Sequence, residues 1–304
     1  MFSDGVFAIV MTILVLETRP RMNCGSMSEQ IAKQIGEPKP HTIATIPKCK
    51  PRSAQLTRSQ NQAKSRKVHS MSANSTTVIL THGAWADGSS WGKIILPLEQ
   101  HGLRVIAAPI PLTSLTDDDS ALRRAIERTS GPVILAAHAY AGGVISAVKH
   151  ERVKSLIYVA ALAPDKGETV GDVFYRGKPH PKAPQLAPDA DGLIWMPEQG
   201  FADAFAQNAS ADTLAILAAT QRPIALPCIQ QPSPEPAWKT KPSWFLLAEE
   251  DRMIHPTTQQ FMAERMKANI RAHPVDHTPM HTAPGLVVKI ILEATQSTAA
   301  QGTL

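Results

Sequence analysis

From Thr76 onward, short apolar runs alternate with stretches in which apolar residues recur every three or four positions. The short runs are Thr77–Leu80, Arg104–Ala108, Val133–Ala137, Ser155–Ala161, Ser243–Ala248 and, near the end, Asn269–Ala272. They read as strands, with Val133–Ala137 a buried one. Trp91–Gln100 places Trp91, Ile94, Ile95 and Leu98 at helical spacing. Thr116–Thr129 does the same with Leu122, Ala125 and Ile126, opened by a capping pair, Thr116 and Asp119, and stopped by Gly131-Pro132. Ala141–Lys149, Thr257–Met266 and Leu286–Ala294 complete the helices. Strands alternating with helices predict an α/β fold, a doubly wound, mostly parallel sheet with helices on both faces.

Around Pro164 the alternation stops, and it resumes at Ser243. The intervening residues, about 165–240, hold helical patches, many prolines and the apolar Trp195, Met196, Phe201, Phe205, Leu214 and Leu217. An insertion of this length is expected to form a helical cap, either a lid over a pocket or a small core of its own.

Residues 1–70 differ in character. Val6–Leu16 is an eleven-residue run without charge, short of the roughly 20 apolar residues a membrane-spanning helix needs. No Lys or Arg precedes it, so it also lacks the n-region of a signal peptide. FSDGVFAIVMTILVLE, within the first 19 residues, resembles the first helix of bacterial potassium channels that share an FSD signature. From Met22 to Ser70 the chain is rich in Lys, Gln, Ser and Pro without apolar periodicity, as in a disordered linker. We therefore expect residues 1–70 to be a disordered or non-native extension, and residues 71–304 to form the folded domain.

Charge follows the same division. The net +5 of the 304 residues arises in residues 1–70, where 11 Lys and Arg face 4 Asp and Glu. The remainder holds 20 against 22, a net of −2, which offers no basic face for a nucleic acid. Three cysteines, Cys24, Cys49 and Cys228, make no disulfide framework and fit a reducing, cytoplasmic setting.

The chemistry concentrates at a few loops that follow strands. Ala136-Ala137-His138-Ala139-Tyr140-Ala141-Gly142-Gly143 lies between a strand and a helix with the small-x-nucleophile-x-small spacing of a nucleophile elbow. The tight turn of an elbow demands small flanks, here Ala137 and Ala141. The position for a Ser, Asp or Cys nucleophile holds Ala139, whose methyl can neither attack nor be activated. A second loop, Thr81-His82-Gly83-Ala84-Trp85, follows the first strand and suits one half of an oxyanion hole.

HGAWADGSSW, PLTSLTDD, AHAYAGG, YVAALAPD, WKTKPSWFLLAEEDRMI and VDHTPMHTAP occur in an order that resembles a bacterial subgroup of the α/β-hydrolase superfamily. That subgroup is similar to the methylesterase and hydroxynitrile-lyase branch, and the likeness spans residues 76 to about 296. The resemblance implies oxyanion donors at the backbone of Ala84 and Tyr140, an acid at Asp251 and a catalytic histidine at His277. The residues themselves agree on order, since positions 139, 251 and 277 follow the nucleophile–acid–histidine sequence of this fold.

Other residues compete for these roles. Asp165 follows a strand and is an alternative acid, though it reads as a turn residue. His277 and His281 have the i, i+4 spacing of metal ligands, but Pro279 between them breaks the helix that would present both, so no metal and no cofactor is expected. His138 reads as structural, turned toward packing rather than the pocket. Ser89, Ser90 and Ser114 sit on loops that follow strands, without an elbow around them, as relocated nucleophiles. The sequence thus points to a small-molecule substrate, an ester or carbonyl compound. Chemistry would rest on the His277–Asp251 dyad; the alternatives are a lyase using His277 as base and an inactive binding protein.

Overall fold

The computed structural model describes residues 76–301, with side chains as far as Thr298. The expected extension over residues 1–70 lies outside the described residues. Six strands form the main sheet: β1 (Thr77–Thr81), β2 (Arg104–Ala108), β3 (Val133–His138), β4 (Val153–Val159), β7 (Ser243–Ala248) and β8 (Asn269–His273). They run in the order β2-β1-β3-β4-β7-β8, every pairing parallel. The remaining two strands, β5 (Leu193–Ile194) and β6 (Ile224–Ala225), pair antiparallel between β4 and β7.

Every residue of β1, β3 and β7 is buried, as expected of parallel strands covered on both faces. Alternate side chains feed two cores. Val78, Leu80, Ile134, Ala136, Ile157 and Val159 face the helices Gly92–Gln100 and Pro284–Gln301. Ile79, Val133, Leu135, Leu156 and Tyr158 face the helices Leu115–Glu127 and Ala141–Ala147 and the residues of the insertion. Among the described residues no helix is long and apolar enough to cross a membrane.

Element boundaries shift for local reasons. The helix expected from Thr116 starts at Leu115, because the Ser114 hydroxyl, not Thr116, accepts from the Asp117 N–H at 3.0 Å. Thr116 and Asp119 have other partners. Thr116 N–H donates to the Gln231 side chain at 3.1 Å, and Asp119 pairs with Arg123 at 2.8 Å. The last helix runs to Gln301, past the expected Ala294. Its continuation is polar, and the hydroxyls of Thr295 and Thr298 donate to carbonyls one turn back.

The strand order reverses at β1, from which the chain steps one way to β2 and then the other way to β3. A parallel sheet leaves a crevice at the carboxyl ends of its strands at such a switch point. The loops after β1 and β3, carrying Ala84 and Ala139, both open there. Residues between β4 and β7 roof this crevice. Trp85 ties the roof down, its N–H donating to the Arg222 carbonyl at 3.0 Å and its indole N–H to the Ile194 carbonyl at 2.9 Å. The Ala225 N–H adds a bond to the Leu112 carbonyl at 3.0 Å.

Candidate active site

The turn after β3 holds Ala139 at φ 49°, a left-handed conformation that costs a non-glycine residue about 1–2 kcal/mol. Neighbouring backbone holds it there: its carbonyl accepts from Leu162 N–H at 2.9 Å and Gly142 N–H at 3.1 Å. Close approach accounts for two glycines. A Cβ on Gly142 would collide with the Leu162 carbonyl, and one on Gly83 would lie 3.0 Å from the Ala139 methyl. This is the strained strand-to-helix geometry of an elbow, with a methyl group at its tip.

Asp251 follows β7, and its carboxylate is fully used. Oδ1 accepts from the N–H groups of Met253 at 2.7 Å and Ile254 at 2.9 Å. Oδ2 accepts from Gln259 Nε2 at 2.8 Å and faces His277 Nδ1 at 2.8 Å. Both side chains of the pair are buried, at 2% exposure for His277 and 0% for Asp251. The pairing fixes the tautomer: Nδ1 carries a proton toward the carboxylate, leaving Nε2 as the basic nitrogen.

Behind this pair lies a second imidazole. His138 Nε2 donates to the His277 carbonyl at 2.8 Å, with the two ring centroids 4.7 Å apart. Burial, reinforced by the neighbouring His277, holds the His138 pKa well below the ordinary histidine value, so it stays neutral. It does not line the cavity described below, yet it buttresses the His277 loop.

Ala84, Ala139, Tyr140 and His277 line one cavity of about 60 Å³. Its other walls are aliphatic or aromatic, among them Leu162, Val170, Phe174, Leu186, Ile229 and Met253. Apart from His277, its titratable side chains are Tyr140 and Tyr175. Tyr140 Oη donates to Asp118 Oδ2 at 2.6 Å, and Asp118 Oδ1 accepts from Leu112 N–H at 2.7 Å. Burial raises the pKa of Asp118, and burial beside that carboxyl raises Tyr140 well above the usual phenol value. Tyr140 is thus a neutral donor turned away from any role as a base.

The competing residues have other partners. Asp165 pairs with Lys239 at 2.6 Å, beside no histidine. Ser114 caps a helix, while Ser89 and Ser90 donate to the Asp87 carboxylate and carbonyl and line a separate pocket with His281 and Lys93. Among the described residues no group of three or more His, Cys, Asp and Glu is arranged to hold a metal ion. Gln259, Asp118 and Phe205 were not singled out in sequence as site residues. Gln259 holds Asp251, Asp118 holds Tyr140, and the Phe205 ring lies 5.3 Å from His277. In each case the signal is a contact made across the fold, invisible in local spacing.

A family model described as "Alpha/beta hydrolase family" matches residues 78–290. The chain belongs to the alpha/beta hydrolase family. Among curated proteins, none matches the sequence significantly. Solved structures of the fold include a pyrethroid hydrolase from Sphingobium faniae JZ-2, at 19% identity and a TM-score of 0.65, covering 75% of this chain and 100% of that one. A methylesterase from Arabidopsis gives 15% and 0.59, covering 73% and 99%. A variant of tomato methylketone synthase I gives 16% and 0.62, covering 74% and 99%. At these identities the likeness of this alpha/beta hydrolase to each is one of fold.

Proposed function

We propose that this alpha/beta hydrolase acts on a small, uncharged ester or carbonyl compound without a covalent serine intermediate. His277, oriented by Asp251, serves as general base on a water molecule or on the substrate itself. The N–H groups of Ala84 and Tyr140 serve as oxyanion donors. One observation supports this above the rest. The buried His277–Asp251 pair, at 2.8 Å, shares a cavity with an elbow whose tip is a methyl group. A pocket serving only to bind has no use for a carboxylate saturated by four donors and aimed at an imidazole.

Water attacks the carbonyl, its proton passing to His277 Nε2, and the oxyanion lies against the two N–H groups. Collapse expels the alcohol, which takes the proton back. The apolar walls favour neutral substrates, because a carboxylate or ammonium would lose its hydration with no charged partner there. The small volume admits the reacting group and a short apolar arm. Proton abstraction beside a carbonyl is a second reading, favoured by the same retained base without a nucleophile. The low cysteine content, three in 304 residues, supports a reducing, cytoplasmic setting.

A panel of short aryl esters and small ketones tests this reading with the wild type and His277→Ala. Turnover by the wild type, lost in His277→Ala, is the expected result. Ligand binding with equal, background turnover in both proteins would leave a binding protein and refute the enzyme reading.

A further inference from the structure

The two loops that carry Asp251 and His277 are bound by one short piece of the insertion. Phe201–Phe205 forms a single π-helical turn, closed by the Ala206 N–H donating to the Phe201 carbonyl at 2.8 Å. Such turns are rare and occur often at functional sites. On the Asp251 side, Arg252 Nη1 donates to the Asp203 carbonyl at 2.8 Å. Gln207 Nε2 donates to the Glu250 carbonyl at 2.8 Å, and Asn208 Nδ2 to the Glu250 carboxylate at 3.3 Å. On the His277 side, the Asn208 N–H donates to Asp276 Oδ2 at 3.1 Å.

All four bonds end on a chain neighbour of the dyad: Glu250 and Arg252 flank Asp251, and Asp276 precedes His277. Asp276 is fully buried. Its other oxygen accepts from Thr278 N–H at 3.2 Å and from Thr282 Oγ1 at 2.6 Å, so the carboxylate spans the turn that carries His277. Phe205, inside the same segment, sets its ring 5.3 Å from the His277 ring.

We propose that residues 203–208 are a clamp and that Asp276 is a positioning residue acting through His277. The clamp fixes the loop of the base against the loop of its acid. The positioning role of Asp276 rests on His277 being the base. A base and its orienting acid must stay within about 0.5 Å of productive geometry, and at their roots the two loops are tied by Glu249 N–H to the His273 carbonyl at 2.9 Å and Glu250 N–H to the Val275 carbonyl at 3.1 Å. The clamp adds a tie from the roof, closer to the two side chains than those backbone bonds. It follows that this half of the roof does not lift for substrate.

The test reads the dyad by proton NMR rather than by turnover, so it stands even if no substrate is found. The Nδ1 proton of His277, held against Asp251, gives a far-downfield resonance, assigned by its loss in Asp251→Asn. In Asp276→Asn an amide replaces the acceptor of the Asn208 N–H. That variant, and the double variant Gln207→Ala with Asn208→Ala, should shift or broaden the resonance while thermal melting shows a folded protein. Ser210→Ala removes the cap of the neighbouring helix Ala211–Thr220 and should leave the resonance in place. If Asp276→Asn does not fold, Thr282→Val, which takes the 2.6 Å hydroxyl donor from the Asp276 carboxylate, reads that residue's role, while the double variant reads the Asp251 side. A wild-type resonance in the folded clamp variants overturns the proposal. So does an equal shift in Ser210→Ala, which would trace the effect to general loosening of the roof.

Discussion

His138 Nε2 donates a 2.8 Å hydrogen bond to the carbonyl of His277, joining the strand that ends at the elbow to the loop of the candidate base. The contact bridges 139 positions of sequence between two buried imidazoles with different duties. One is held neutral by burial and acts as a strut, while the other pairs with Asp251 and is the base of the proposed reaction.

Removing the strut should therefore be felt at the dyad. His138→Leu stays close to the imidazole in volume, loses the donor and leaves a buried carbonyl unsatisfied, at a cost of about 1–3 kcal/mol. Thermal or denaturant melting should show that loss, with turnover lowered well beyond it. Unchanged melting would mean that the bond contributes nothing.

Tyr140→Phe tests the other side of the elbow. Asp118 would lose the phenol donor and keep the Leu112 N–H, so a loss of about 1–3 kcal/mol is expected by melting. The cavity and the Tyr140 N–H remain, so any turnover should survive within a few-fold. Complete loss of turnover in a folded variant would assign the phenol itself a chemical role.

Acid sensitivity should be traceable to His281. Burial, then the nearby Lys93, lowers its pKa from the ordinary histidine value of 6.5 to about 4. The folded state thus resists a proton that the unfolded chain accepts. Its contribution is complete above pH 6.5 and is lost as pH falls toward 4, up to about 3 kcal/mol. His281→Asn should flatten the melting temperature across that window relative to wild type. An unaltered acid limb would contradict the assignment.

The fold was legible because parallel strands and amphipathic helices are written in local periodicity, and all six sheet strands fall on apolar runs read from sequence. Asp251 and His277 were named through the likeness to the hydrolase superfamily, with which the chain order 139, 251, 277 agrees, and the small-x-Ala-x-small spacing marked the tight turn after β3. Boundaries set by a single hydrogen bond were not: Ser114, two residues before the expected Thr116, takes the capping role. Nor were Gln259, Asp118 and Asp276, whose partners lie on other elements. Ser89 and Ser90 show the converse, since serines on a promising loop are engaged with Asp87 and face another pocket.

The account turns on a single missing atom at residue 139, and a serine-directed fluorophosphonate reads it directly by mass spectrometry of the labelled protein. In the wild type, whose cavity has no serine among its lining residues, no serine should be labelled. Ala139→Ser places a hydroxyl on a left-handed turn already built for one, beside a base already paired with its acid. That variant should take up one label, on residue 139, and lose it when His277 is also changed to Ala. Stoichiometric labelling of the wild type at any serine, or a folded Ala139→Ser protein that stays unlabelled, would contradict this reading.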